Sequence, residues 1–238
     1  MESSHENQGG AFLLAKCHIL VLLFFVSVFF FADHAGDGET PPFMRVLEGP
    51  ERSGSRQAVI VSAAGPAGVL ELSAYSLVQE KWVEVFRTKD VAIGKNGFAH
   101  SGEKREGDGR TPSGIYGLPL AFGYAAAIDS KLPYRQALEN DVWVDDSKSE
   151  NYNRWCKKEL ASATSFELMK RKDDLYKLGI VIGYNTDPIV PGNGSAIFFH
   201  IWSGPGSNTS GCVATREEFL MQLLKWLDPA KNPRIVLG

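Results

Sequence analysis

From residue 58 onward, short apolar stretches alternate with polar, glycine- and proline-rich segments, the pattern of strands joined by loops. Ala58–Ala63, Val69–Leu77 and Trp82–Val91 read as strands of an antiparallel start to the domain. Gly179–Tyr184, Ser195–Trp202 and Arg234–Leu237 read as later strands, with a turn at Gly192–Gly194. Two segments carry helical spacing. Over Thr215–Leu227, Phe219, Leu220, Leu223, Leu224 and Leu227 make one apolar stripe, with Thr215 and Glu218 in capping-box positions and Asp228-Pro229 as the stop. Ser165–Lys177 reads as an amphipathic helix with a solvated charged face. The expected fold is mostly β with flanking helices, a sandwich or barrel across which the last helix packs its leucines.

A single long apolar run precedes this domain. Ile19–Phe31 is broken only by Ser27, and the whole span Ala11–Ala32 approaches the ~20 residues that cross a bilayer. Lys16 lies on its N-terminal side, and Asp33, Asp37 and Glu39 follow it, so the tail is expected inside and the domain exported to the periplasm or cell envelope. Residues 1–35 are thus a signal peptide or an inner-membrane anchor, and no small-x-small cleavage site decides between them. Residues 36–57, rich in Gly, Pro, Glu, Ser and Arg, read as a linker to a folded domain over 58–238. Within that domain, residues 120–178 look like an insertion. Its Asp145-Asp146 pair reads as a solvated turn, because neighbours on a strand point to opposite faces.

Composition narrows the function. With 238 residues, 44% hydrophobic and 22% charged, the chain is long enough for one domain with a sizeable core and terminal extensions. A net charge of −3, with no basic run interleaved with aromatics, gives no electrostatic case for nucleic acid. A monomer is expected. Three cysteines are too few for a disulfide scaffold. Cys17 lies in the apolar N-terminal run. Cys156 and Cys212 could pair in an oxidising compartment, which would block a nucleophile.

Two polar, glycine-rich segments interrupt the strand pattern. The first, Gly94–Gly117, is too rich in glycine and charge for a regular element, and a stretch of that length inside a domain is usually functional. The second runs from Ser203 to Gly211 and ends at Cys212. If a helix begins at Thr215, Cys212 lies near free N–H groups and the positive dipole end that favour a thiolate. His200 closes the preceding strand, so a loop folding back brings imidazole to sulfur, as a cysteine nucleophile and its base require. The plainer alternative is that His200 caps a strand and Cys212 is a small buried residue.

The segment FFHIWSGPGSNTSGC resembles the signature of the YkuD-type L,D-transpeptidases, a His, a glycine-rich spacer, then Ser/Thr-His-Gly-Cys. Thr209, Ser210, Gly211 and Cys212 match its end at three of four places. Ser210 stands where the motif has a second His, and Ala214 where Arg or Asn is usual. The stretch GDGRTPSGIYGL is similar to the family's other hallmark, and with the two in the right order the resemblance covers about Ala58 to Gly238.

That resemblance implies the chemistry. Cys212 attacks the carbonyl joining an L-centre to a D-residue in a peptidoglycan stem peptide, giving a thioester that an acceptor amine resolves. His200 serves as base, oriented by a backbone carbonyl, and the Cys212 N–H with Gly211 faces the oxyanion. Gly109, Arg110, Thr111 and Pro112 supply one wall of the substrate cleft, and Trp202, Thr209 and Ser210 line it from the Cys loop. No metal or organic cofactor is needed. Two alternatives stay open: a hydrolase that resolves the same thioester with water, and a wall-binding module without chemistry.

Overall fold

A computed structural model describes residues 54–64 and 68–238. The apolar run Ala11–Ala32 and nearly all of the expected linker lie outside these residues. Among the described residues no helix is long and apolar enough to cross a membrane.

Strands β1 (Gln57–Ala64), β2 (Val69–Val78) and β3 (Lys81–Thr88) form an opening meander. Four short strands follow: β4 (Val91–Ala92), β5 (Phe98–Ala99), β6 (Thr111–Pro112) and β7 (Gly114–Gly117). Next come β8 (Leu120–Gly123), β9 (Tyr134–Gln136), β10 (Asp141–Val144), β11 (Trp155–Lys157) and β12 (Phe166–Leu168). The chain closes with β13 (Leu178–Val181), β14 (Phe198–Ile201), β15 (Val213–Thr215), helix α1 (Glu217–Trp226) and β16 (Arg234–Leu237).

Two sheets carry the domain, one ordered β3-β2-β1-β16-β7 and the other β4-β15-β14-β13-β8-β9. Period-two alternation decides what each strand buries. Val59 and Val61 of β1 point into the main core with Leu72 and Ala74, while Ala58 and Ile60 pack on the other face with Tyr75 and Val236. In the main core these meet Ile180, Phe199 and Val213 of the second sheet and the leucines of α1. Phe219, Leu220, Leu223, Leu224 and Leu227 are all buried, so the apolar stripe docks the helix as expected. Removing one of these leucines to Ala costs about 2–5 kcal/mol.

Local structure departs from the sequence pattern in five places. First, α1 starts at Glu217 with Arg216 as its N-cap and no capping side chain. Thr215 belongs to β15, and its hydroxyl donates to the Asp90 carbonyl. Thr215 was a good cap by type, but sheet pairing claimed it. Second, Ser165–Lys177 is not a helix but β12 followed by turns, because β12 pairs with β10. Only α1 forms a true helix among the described residues, with short 3₁₀ turns at Lys158–Leu160 and Pro229–Lys231. Third, Trp82–Val91 breaks into β3 and β4, which join different sheets. Fourth, the Ser195–Trp202 strand shortens to β14. Fifth, the supposed insertion is smaller than 120–178, since β8 and β9 complete the second sheet and only β10–β12 form a separate sheet.

Gln57, assigned to the linker, is instead part of β1 and completely buried. Its Nε2 donates to the Trp226 carbonyl at 2.8 Å, and its Oε1 accepts the Asp228 N–H at 2.8 Å. A single side chain thereby terminates α1 with the partners its last turn lacks.

Candidate active site

Strands β14 and β15 run parallel, with Phe199 opposite Val213, His200 opposite Ala214 and Ile201 opposite Thr215. Extending that register by one residue sets Cys212 level with Phe198. Residues two apart share a face, so His200 and Cys212 are diagonal neighbours on one side of the sheet. Both line a cleft of about 390 Å³. The loop between them is tied at both ends. Trp202 N–H donates to the Thr215 carbonyl at 2.8 Å, and Thr209 exchanges backbone bonds with Ile93 and Lys95 at 2.9 Å each.

His200 is 6% exposed and Cys212 8%, and that burial governs their protonation. It pushes the imidazole down to about 4 and the thiol up to about 12. At neutral pH both groups are therefore uncharged. His200 Nδ1 lies 2.7 Å from the Ile201 carbonyl, which requires Nδ1–H and leaves Nε2 as the basic nitrogen. The Cys212 thiol donates to the Ala196 carbonyl at 3.2 Å and accepts the Phe198 N–H at 3.3 Å. Tyr176 stacks edge-on against His200 with ring centres 5.2 Å apart.

The glycine-rich segment works behind this pair. Thr111, fully buried, accepts the Gly94 N–H at 2.8 Å and donates to the Cys212 carbonyl at 3.4 Å. Thr209 Oγ1 donates to that same carbonyl at 2.7 Å. Two hydroxyls thus fix the backbone that carries the thiol. Gly94 approaches so closely that a Cβ there would lie 2.5 Å from the Gly109 carbonyl oxygen. Gly211, at φ +149, would bring its Cβ within 2.9 Å of the Arg110 carbonyl. Asp108 folds the segment: it accepts from Lys104 Nζ at 2.7 Å and from the backbone N–H groups of Arg105 and Arg110. Burial raises its pKa, but these donors outweigh burial and hold it below the usual carboxylate value.

Of the site residues expected from sequence, Cys212, His200, Gly211, Trp202, Thr209 and Ser210 line the cleft together. Gly109, Arg110, Thr111 and Pro112 do not line it; from behind, the Arg110 carbonyl packs against Gly211 and Thr111 bonds the Cys212 carbonyl. The Gly211 N–H is occupied by Thr209 Oγ1 at 3.1 Å, whereas the Cys212 N–H makes no hydrogen bond among the described residues. Cys212 does not sit at a helix N-terminus, because β15 separates it from α1. Cys156 and Cys212 are both free thiols.

Sequence reasoning missed the opposite wall. Lys95, Lys104, Glu106, Asp145, Glu167, Arg171 and Tyr176 all face the cleft. Arg171 pairs with Glu167 at 3.1 Å and Asp173 at 2.6 Å. Burial raises Glu167 and Asp145 above the ordinary carboxylate range. The aspartate pair divides its labour: Asp146 holds a turn through Thr164 and Lys148, while Asp145 turns inward. Adjacent residues part to opposite sides as expected, but the reading of a solvated pair fails for Asp145, whose partly buried carboxyl lines the cleft. Among the described residues no group of three or more His, Cys, Asp or Glu side chains is arranged to hold a metal ion.

Comparison with known proteins supplies the remaining constraint. The family model of the L,D-transpeptidase catalytic domain, YkuD, matches residues 67–236. No curated protein matches the chain. Among solved structures, the chain is similar to a variant of the helical cell shape determining protein Pgp2 from Campylobacter jejuni, at 16% identity and a TM-score of 0.42. The match covers 76% of this chain and 46% of that one, so the chain spans about half the length of that protein.

Proposed function

The chain belongs to the YkuD family of L,D-transpeptidase catalytic domains, and we propose that it is a cysteine-dependent L,D-transpeptidase acting on peptidoglycan stem peptides. The observation that carries this reading is the placing of His200 and Cys212 on one sheet face in one cleft, with Nε2 of His200 left basic. In the first half-reaction, Sγ attacks the carbonyl carbon of the L–D peptide bond while Nε2 of His200 accepts the thiol proton. The Cys212 N–H donates to the developing oxyanion, an interaction typically worth ~3–4 kcal/mol. Collapse breaks the C–N bond, His200 returns its proton to the departing D-alanine amine, and a thioester remains. An acceptor amine then attacks the thioester, gives its proton to His200, and restores the free thiol.

Because burial pushes the thiol up and the imidazole down, a resting thiolate–imidazolium pair is disfavoured. Proton transfer therefore accompanies attack, as general-base catalysis, instead of preceding it. In this reading the domain works as a monomer outside the cytoplasmic membrane, where stem peptides are found, carried there by the Ala11–Ala32 segment. A C-terminal reporter active only in the cytoplasm gives no signal if that is so, and a positive signal removes the location. Incubating the soluble domain with tetrapeptide muropeptides tests the reaction: cross-linked product with D-alanine release is expected. D-Alanine release without cross-links makes it a hydrolase.

A further inference from the structure

Ala196 has a backbone conformation that alanine rarely takes, φ +53, in a buried position. Left-handed non-glycine residues persist only where the surroundings over-determine them. Here the determinant is visible. Asn153, 3% exposed and itself left-handed at φ +55, accepts the Ala196 N–H on Oδ1 at 3.1 Å. The same oxygen accepts Trp143 Nε1–H at 2.8 Å. Nδ2 donates to the Tyr184 carbonyl at 3.2 Å and the Asn185 carbonyl at 2.6 Å. All four hydrogen-bonding positions of the amide are used, and a flipped amide would set its donors against two N–H groups. The amide has one orientation only.

The conformation so fixed aims the Ala196 carbonyl at Cys212 Sγ. Two residues on, the Phe198 N–H points at the same sulfur. The thiol is thus held between a carbonyl that favours its protonated form and an N–H that favours the thiolate.

We infer that Asn153 is a positioning residue for the nucleophile: by holding Ala196 left-handed, it directs the Cys212 S–H to the Ala196 carbonyl and adds to the bias toward the neutral thiol that burial already sets. Asn153 does not line the cleft, so it acts through Ala196 and not on substrate. Attack then requires the S–H to turn from the Ala196 carbonyl to His200, after which the Phe198 N–H is left as the donor to sulfur. This rests on Cys212 being the nucleophile proposed above.

The test reads ionisation of the thiol directly, by ultraviolet thiolate absorbance against pH, each protein being subtracted from its Cys212→Ser counterpart. Asn153→Ala removes the hold on Ala196, and the midpoint falls by about one pH unit, the effect of losing one ordinary hydrogen bond to the neutral form. Adding Ala196→Gly returns the midpoint toward wild type, because glycine adopts positive φ without help. Should Asn153→Ala not fold, Asn153→Gly, which removes the amide while its own backbone adopts the positive φ freely, is read the same way. A folded Asn153 variant with the wild-type midpoint overturns the inference, and so does a shifted midpoint that Ala196→Gly leaves unmoved. Acyl-enzyme formation by the wild type is measured in parallel. Its absence sinks the proposed function, while the midpoints still decide the role of Asn153.

Discussion

Burying His200 as a neutral imidazole makes the domain acid-sensitive in a defined window. In the unfolded chain the imidazole titrates at 6.5, and in the fold at about 4. Between those values the unfolded state binds a proton that the native state refuses, so stability rises with pH across the window. The contribution is complete above pH 6.5 and is lost as pH falls toward 4. At 1.36 kcal/mol per pH unit the whole loss is about 3 kcal/mol, a large part of the 5–15 kcal/mol typical of a domain. Desolvation is the leading cause; the hydrogen bond to the Ile201 carbonyl opposes it, the nearby Arg171 guanidinium adds to it and Asp173 opposes it least. Glu167 and Asp145, which burial pushes up, gain stability on acidification and oppose the trend. Comparing wild type with His200→Gln cancels their common contribution. Urea unfolding midpoints at a series of pH values between 4 and 7 are the assay. Wild type should lose about 3 kcal/mol more than His200→Gln over that interval. Parallel curves for the two proteins would refute the buried, neutral imidazole.

Three further substitutions probe the scaffold behind the pair. Thr111→Val keeps shape but strands the Gly94 N–H and removes one of the two hydroxyls on the Cys212 carbonyl; denaturant midpoints should report a loss of about 1–3 kcal/mol. Gly94→Ala forces a Cβ to within 2.5 Å of the Gly109 oxygen, and it should both lower the melting temperature and slow acylation. An unchanged protein would mean that this contact yields freely. Ser210→His restores the family residue in a position that lines the cleft, and the initial rate of thioester formation should rise.

Much of the fold was legible because burial and local pattern agree. The α1 leucines face one core, and Arg234–Leu237 is a strand that β1 and β7 enclose. Where tertiary pairing overrode local preference, the pattern misled. Thr215 is a good N-cap by residue type, yet it serves as a strand residue whose hydroxyl is claimed by Asp90. The 165–177 stretch has helical spacing, yet β10 recruits its start into a sheet. The motif residues His200 and Cys212 could be found from spacing and resemblance. The wall opposite them could not, since Glu167 and Arg171 lie at an i,i+4 spacing that solvated helices share. Nothing local to Asn153 or Ala196 marks either as exceptional; their left-handed backbones follow from contacts across the chain.

The central claim is that Cys212 becomes covalently acylated. Intact-protein mass spectrometry after incubation with a carbapenem, a thioester-forming inhibitor, measures this most directly. Wild type and Cys156→Ala should each gain one adduct, His200→Ala should gain it about 10²–10⁴-fold more slowly, and Cys212→Ala should gain none while keeping its fold. Equal labelling of wild type and Cys212→Ala would contradict the account.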